Sequence, residues 1–233
     1  MRDGRDAPAV RGLASLARSL GAGVRRGGGQ AGSARAPRRP VFLADITIAS
    51  GSELKDRLLE QGLAPDEVLF KYCWPRYAPP LEHGIRSLAK SENLGAQFAR
   101  LVALHREVPT AFPMPVGTVR SAEEEFVGYL LEYVPGYTVR ELLSAGMIEE
   151  ARRQIDVVEA TMARLHAKEL AHGDLNTSNI IAADDGRTLL IDPVPYPGSG
   201  KVLQDDICIR QLRRSIEDAP LGSARAEAVD GAS

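Results

Sequence analysis

Three polar residues in one stretch of the chain carry side chains suited to handling a proton or a metal ion. They are Asp174, Asn179 and Asp192, within Leu165–Pro193. Asn179 follows Asp174 by five residues and Asp192 follows it by eighteen. Carboxylate and amide oxygens are hard donors of the kind that magnesium takes. His172 and Gly173 stand immediately before Asp174. The elements that must position these groups are visible around them. Asn179-Ile180-Ile181-Ala182 and Thr188-Leu189-Leu190-Ile191 are short apolar runs, predicted to be buried strands. The connecting Ala183–Arg187 carries Asp185-Gly186, a strong hairpin signal. Such a hairpin holds Asn179 and Asp192 at neighbouring strand ends. A surface loop carrying Asp and Asn by chance would not also supply the order, the spacing and the turn.

His172-Gly173-Asp174-Leu175, then Asn179, then Asp192-Pro193 resembles the catalytic loop and metal-binding aspartate of the protein-kinase-like fold. Gly after His, and Asp-Pro in place of Asp-Phe-Gly, make it most similar to the aminoglycoside-phosphotransferase, lipopolysaccharide-kinase and Rio-type branches. The resemblance implies an α+β, bilobal fold with a small antiparallel-sheet N-lobe and a minimal, mostly helical C-lobe. It implies ATP and Mg2+ as cofactors, and transfer of the γ-phosphate to a hydroxyl of a small molecule, a glycolipid or a protein. Asp174 would then accept or orient the acceptor's proton, Asn179 and Asp192 would hold the metal, and His172 would orient the loop backbone. Gly173 replaces the Arg with which regulated protein kinases sense a phosphorylated activation loop. Thirteen residues separate Asp192 from Asp206 and no Ala-Pro-Glu follows, so a phosphorylation-switched peptide platform is not expected.

The remaining family positions are less sharply marked. Glu67–Trp74 has strand composition with Lys71 at its middle, which fits the phosphate-pairing lysine; the alternative is a solvent-facing lysine on an edge strand. A helix over 91–106 carries an apolar stripe of Leu94, Leu101 and Leu104, and Gln97 lies within it. Glu92 points away and serves the helix dipole. The residue best placed to meet Lys71 is therefore Gln97, not a carboxylate. Val116–Val119 and Phe126–Tyr133 are predicted to be a strand pair, the second ending in a hinge at Pro135-Gly136. There Glu132 and Val134 would offer backbone C=O and N–H to an adenine edge, with Leu131 behind. No glycine-rich loop is present. Val41–Ser50 is predicted as a strand, and Ser50-Gly51-Ser52, with Ser52 as N-cap of a helix over 53–61, is a weak phosphate-binding candidate. Pro197–Val202 mimics a P-loop but lacks its first Gly and its hydroxyl residue. Helices are expected over 138–143, 149–168 and 202–216, the last with Cys208, Leu212 and Ile216 on one face. Asp205 or Asp206, with Asp206 preferred, would tie the catalytic loop from below.

With 233 residues the chain can form one good-sized domain or two small lobes. A net charge of −2 points to neither nucleic acid nor membrane for the whole chain. Cys73 and Cys208 imply no disulfide framework, and a reducing cytoplasm is the simplest compartment. No apolar run is long enough to span a bilayer. Residues 1–40 stand apart, with nine Arg, no Lys and two Asp. They read as a basic, mostly disordered arm, suited to an anionic partner such as RNA or an acidic surface. Arg-rich and acid-poor, they also fit a transit peptide. The expected organisation is this arm, an N-lobe over 41–134, a C-lobe over 135–217 and a flexible tail over 218–233. Expected partners are a nucleotide and a hydroxyl-bearing acceptor, with a protein partner as a further candidate. The absent glycine loop and Gln97 keep a second reading open, a pseudokinase scaffold that binds nucleotide or a partner without turnover.

Overall fold

The computed structural model describes residues 44–90, 93–195 and 200–218. The arm at 1–40, the first residues of the strand predicted at 41, Glu92, half of the P-loop mimic and the tail from 219 lie outside the described residues. The fold is bilobal α+β, with two sheets and five α-helices described.

The first sheet has five strands: β1 (Ala44–Ile48), β2 (Val68–Tyr72), β3 (Arg86–Ala89), β4 (Pro115–Ser121) and β5 (Phe126–Glu132). Their spatial order is β1-β4-β5-β2-β3. The three central strands are antiparallel, as expected, but β1 joins β4 in parallel and β3 joins β2 in parallel, so the sheet is mixed. Strand β3 was not anticipated. It is short and exposed at every position, so no burial pattern marks it in the sequence.

Period-two alternation, broken on β5 by a bulge at Val127, divides this sheet between two cores. Val68, Phe70, Val127 and Leu130 face one side, where they pack with Ile46 and Ile48 of β1 and with Leu54 and Leu58 of α1 (Leu54–Glu60). Leu69, Tyr129 and Leu131 face the other, where Leu94, Phe98, Leu101 and Leu104 of α2 (Leu94–Glu107) cover them. This second core continues into the rest of the molecule without a break. It takes in α3 (Val139–Ser144), α4 (Ile148–His166) and α5 (Lys201–Glu217) through Leu142, Ile155, Val158, Met162, Leu165, Ile209 and Leu212.

Local signals account for the helix starts. Thr138 caps α3 in a full capping box: its hydroxyl accepts from Glu141 N–H at 3.2 Å, and the Glu141 carboxylate accepts from Thr138 N–H at 2.8 Å. Helix α4 buries Ile155, Val158, Met162 and Leu165, spaced three and four apart, and its C-terminus delivers the chain to the candidate site. The predicted hairpin is formed by β7 (Ile180–Ala183) and β8 (Thr188–Leu190), with Gly186 at φ 84° in the turn. An unanticipated β6 (Gly136–Thr138), three residues after β5, adds a third strand against β7.

Ser50-Gly51-Ser52 does not fit its suggested phosphate role. It follows β1, at the edge of the sheet opposite to β3 and separated from β2 by two strands. Gly51 is buried, and a Cβ there would lie 2.1 Å from the Ala78 carbonyl oxygen, so the glycine serves a backbone packing contact. Ser52 caps nothing; its hydroxyl pairs with that of Ser50 at 2.7 Å inside a 3-10 turn over Gly51–Glu53.

Candidate functional site

The site forms where β2, β3 and α2 meet the loops flanking the β7–β8 hairpin. Asp174 and Asn179 lie on the loop between α4 and β7, and Asp192 lies just after β8. The hairpin brings them together through its backbone: Ile191 N–H donates to Asn179 O at 3.0 Å. Asn179 is nearly buried and its amide nitrogen donates to both the backbone oxygen and Oδ2 of Asp174, at 2.9 and 3.0 Å. With the nitrogen committed to Asp174, Asn179 Oδ1 accepts no hydrogen bond from a described residue. The Asp174 side chain is otherwise open, with Asn176 Nδ2 at 3.4 Å from Oδ1.

His172 is fully buried and bridges the two halves of the site. Its Nε2–H donates to Ile191 O at 2.9 Å, and its Nδ1 accepts from Asp174 N–H at 3.4 Å. Those two partners demand the neutral Nε2–H tautomer. Burial pulls the His172 pKa below the ordinary value of 6.5, against the opposing fields of Asp205, Asp174 and Asp192. The ring is thus a neutral tie between the Asp174 loop and the strand leading to Asp192. Val194 N–H returns to His172 O at 3.0 Å and completes it. Gly173 has φ 84°, and a Cβ there would come within 2.4 Å of Val194 Cγ2. The arginine that regulated protein kinases carry at this position would be strained on both counts.

The buried end of α5 anchors the same loop, through Asp205 and not Asp206 as the sequence suggested. Asp205 has 0% exposure and accepts from His172 N–H and Gly173 N–H, each at 2.8 Å. Asp206 is half exposed and pairs with His166 Nδ1 at 3.2 Å. The reason is helix phase. The buried stripe of α5 is Asp205, Ile209, Leu212 and Ile216, spaced four, three and four; it keeps the predicted Leu212 and Ile216, with Ile209 in the place given to the partly buried Cys208. Arg100, on α2, donates to Ala171 O at 2.6 Å beside the same loop.

Lys71 lies within β2 and is 2% exposed, so it is not a solvent-facing lysine. Its ammonium pairs with Asp192 Oδ1. Asp192 also takes Lys90 at 2.7 Å on Oδ2. Burial lowers the Lys71 pKa; Asp192 opposes that shift and the like charge of Lys90 adds to it. Burial alone would raise the Asp192 pKa, but the charges and hydrogen bonds of Lys71 and Lys90 outweigh it and hold the carboxyl below the ordinary range. The carboxylate is therefore ionised between two ammonium groups. Its own backbone is left-handed, φ 57°, a conformation that Asp tolerates better than most residues.

Gln97 does not meet Lys71. Its Oε1 accepts from Tyr129 OH at 2.8 Å and its Nε2 donates to Pro193 O at 3.3 Å. It ties α2 to the residue after Asp192. Tyr129 pairs with Lys71 in the β2–β5 register, and its ring lies 5.9 Å below the Lys71 ammonium. Burial, and then the charge of Asp192, raise the Tyr129 pKa, so the phenol stays a donor.

At the hinge position, the Glu132 side chain pairs with Arg187 at 3.0 Å and accepts from Met114 N–H at 3.2 Å. Its backbone N–H donates to Met114 O at 2.9 Å. Val134 N–H, just beyond β5, donates to no described residue. Two participants escaped the sequence, Lys90 and Tyr129, and Asp205 stood there only as the alternative to Asp206. The four-three-four stripe would have marked Asp205. Nothing local marks Lys90, which follows an exposed edge strand, or Tyr129, which reads as an ordinary core aromatic.

No known protein-family profile matches the chain. One stretch is similar to a protein of Methanospirillum hungatei named a probable bifunctional tRNA threonylcarbamoyladenosine biosynthesis protein, with 32% identity over 94 residues. The stretch is 40% of this chain and 15% of that protein's length. Among the described residues, no helix is long and apolar enough to cross a membrane.

Proposed function

We propose that the chain is an ATP- and magnesium-dependent phosphotransferase of the protein-kinase-like type, acting on a hydroxyl acceptor. The observation that carries this reading is the Asp174–Asn179–Asp192 cluster with a buried lysine on Asp192. The donor set suits magnesium. Asp192 is ionised, and the Asn179 oxygen is turned away from Asp174 because its nitrogen is held there. Asn179 and Asp192 would hold the ion, which when bound neutralises charge on the phosphates. Lys71 would meet those phosphates, and the Tyr129 ring beneath it adds no charge. Asp174, open to solvent and steadied by two amides, would take the acceptor's proton. Val134 N–H and the backbone carbonyl of Glu132 would receive an adenine edge.

The test is labelled-ATP transfer to an acceptor panel of sugars, glycolipids and proteins. The name of the similar protein adds tRNA, and proteins that act in tRNA modification, to that panel. Asp174→Ala should lower transfer by about 100-fold or more, the usual worth of a positioned base. The Asp174 backbone oxygen still holds Asn179 in that variant, so the fold should survive. Undiminished transfer by Asp174→Ala would remove the residue from this role.

A second reading, a nucleotide-binding scaffold without turnover, is favoured by the absence of any carboxylate from α2 at Lys71 among the described residues. Magnesium-dependent ATP binding with no transfer and no ATP hydrolysis would decide for it.

A further inference from the structure

The lysines at Asp192 are not equivalent, and the difference assigns the second one a task. Lys71 is enclosed, whereas the Lys90 side chain is 33% exposed at the end of the edge strand β3. The parallel register sets Lys71 beside Leu88, and Lys90 N–H donates to Tyr72 O at 2.9 Å. Lys90 therefore stands two residues beyond the Lys71 level and on the same face of the pleat, about 7 Å along the strand. That is how two cations reach opposite oxygens of one carboxylate.

Their charges do not balance. Two ammonium groups share one carboxylate, and no other described carboxylate lies within ion-pair distance of either. The Tyr129 ring beneath Lys71 is uncharged, and so is Gln97, to which the Tyr129 hydroxyl donates. An uncompensated positive charge at a part-buried site favours an anion. If a divalent ion takes Asp192, both lysines lose their partner and the demand for an anion rises. Lys71 has little room to respond. Lys90, on a flexible stem at an open edge, has both reach and freedom.

We propose that Lys90 is a second phosphate-binding cation that leaves Asp192 when a nucleoside triphosphate and its divalent ion occupy the site, and covers the terminal phosphates. The inference rests on the nucleotide-binding reading above, and it assigns to a side chain the cover that a glycine-rich loop would supply through backbone N–H groups. Lys90 directly follows β3, the edge strand that flanks β2 and its Lys71.

The experiment is equilibrium binding of adenosine, ADP and a non-hydrolysable ATP analogue, with and without magnesium, by calorimetry. The proteins are wild type, Lys90→Met and Lys90→Arg, each checked for folding by circular dichroism. Lys90→Met should weaken the ATP analogue by about 10- to 100-fold, the worth of one charge-assisted hydrogen bond. Adenosine affinity should stay within about twofold, because no phosphate is present to contact. Lys90→Arg should recover most of the loss, and the penalty should shrink as salt rises. Equal affinity of Lys90→Met and wild type for the ATP analogue would overturn the assignment. So would a matching loss for adenosine, which would make Lys90 only a support for Asp192. Wild-type protein that binds none of the three ligands would overturn the nucleotide reading itself, and this inference with it.

Discussion

Replacing Asp205 tests the assignment on which the geometry of the site depends. Its carboxylate is wholly buried and accepts two backbone N–H groups, from His172 and Gly173, both at 2.8 Å. Asp205→Ala leaves two buried donors without an acceptor, and each such orphan costs about 1–3 kcal/mol. The expected loss is about 4 kcal/mol, a large share of the roughly 5–15 kcal/mol that holds a domain together. For a domain of this size that corresponds to a fall in Tm of roughly 8–16 °C. Asp205→Asn should cost about half as much, since the amide oxygen still accepts one N–H while its NH2 group faces the other. Asp206→Asn removes only a half-exposed pair with His166 and should cost less than about 1 kcal/mol. Urea unfolding followed by fluorescence and by circular dichroism measures all three variants. If Asp205→Ala stays within about 1 kcal/mol of wild type, or Asp206→Asn is the more damaging, the anchoring argument is wrong.

Three further outcomes are expected. Asp174→Ala should stop transfer while keeping Tm within about 2 °C, because the side chain is open and its buried partner, the Asn179 amide, keeps the Asp174 backbone oxygen as acceptor; a thermal scan beside the transfer assay checks it. Asp192→Ala should instead destabilise by about 3–5 kcal/mol by stranding the buried Lys71 ammonium, and the double variant Lys71→Met/Asp192→Leu should regain most of that stability while staying inactive. The last concerns pH. The unfolded chain binds a proton at His172 near 6.5, whereas burial holds the folded pKa lower. Below 6.5 the unfolded state therefore carries more protons, so stability falls as pH drops from 6.5 toward the folded pKa. Histidine NMR should show His172 titrating below the ordinary 6.5, and His172→Gln should flatten that part of the stability–pH curve.

The hairpin and its neighbours were legible because their signals are local. Asp185-Gly186 turns the chain wherever flanking apolar runs can pair, and the pairing alone puts Asn179 beside Ile191 and so next to Asp192. The capping box at Thr138 and the three-and-four spacing along α4 are likewise written within one turn or a few turns of helix. The mid-strand position of Lys71 was readable too, but not what it touches. Its partner is 121 residues away, and the second lysine on that partner is 102 residues away. Neither distance leaves a trace in composition or periodicity, because such contacts are set by how two sheets and α2 pack together. The same holds for Gln97, which shares the apolar stripe of α2 yet bonds Tyr129 and Pro193 because Asp192 already occupies Lys71. Asp205 and Asp206 differ by one residue, or 100° of helix rotation; the four-three-four spacing carries that phase, and the packing of α5 against the loop shows what the inward carboxylate holds. Residue order along the chain therefore determined which groups could do the chemistry, through short-range turn and helix preferences. Tertiary packing decided which charges meet, because an ion pair forms only between groups that long-range burial brings within reach of each other.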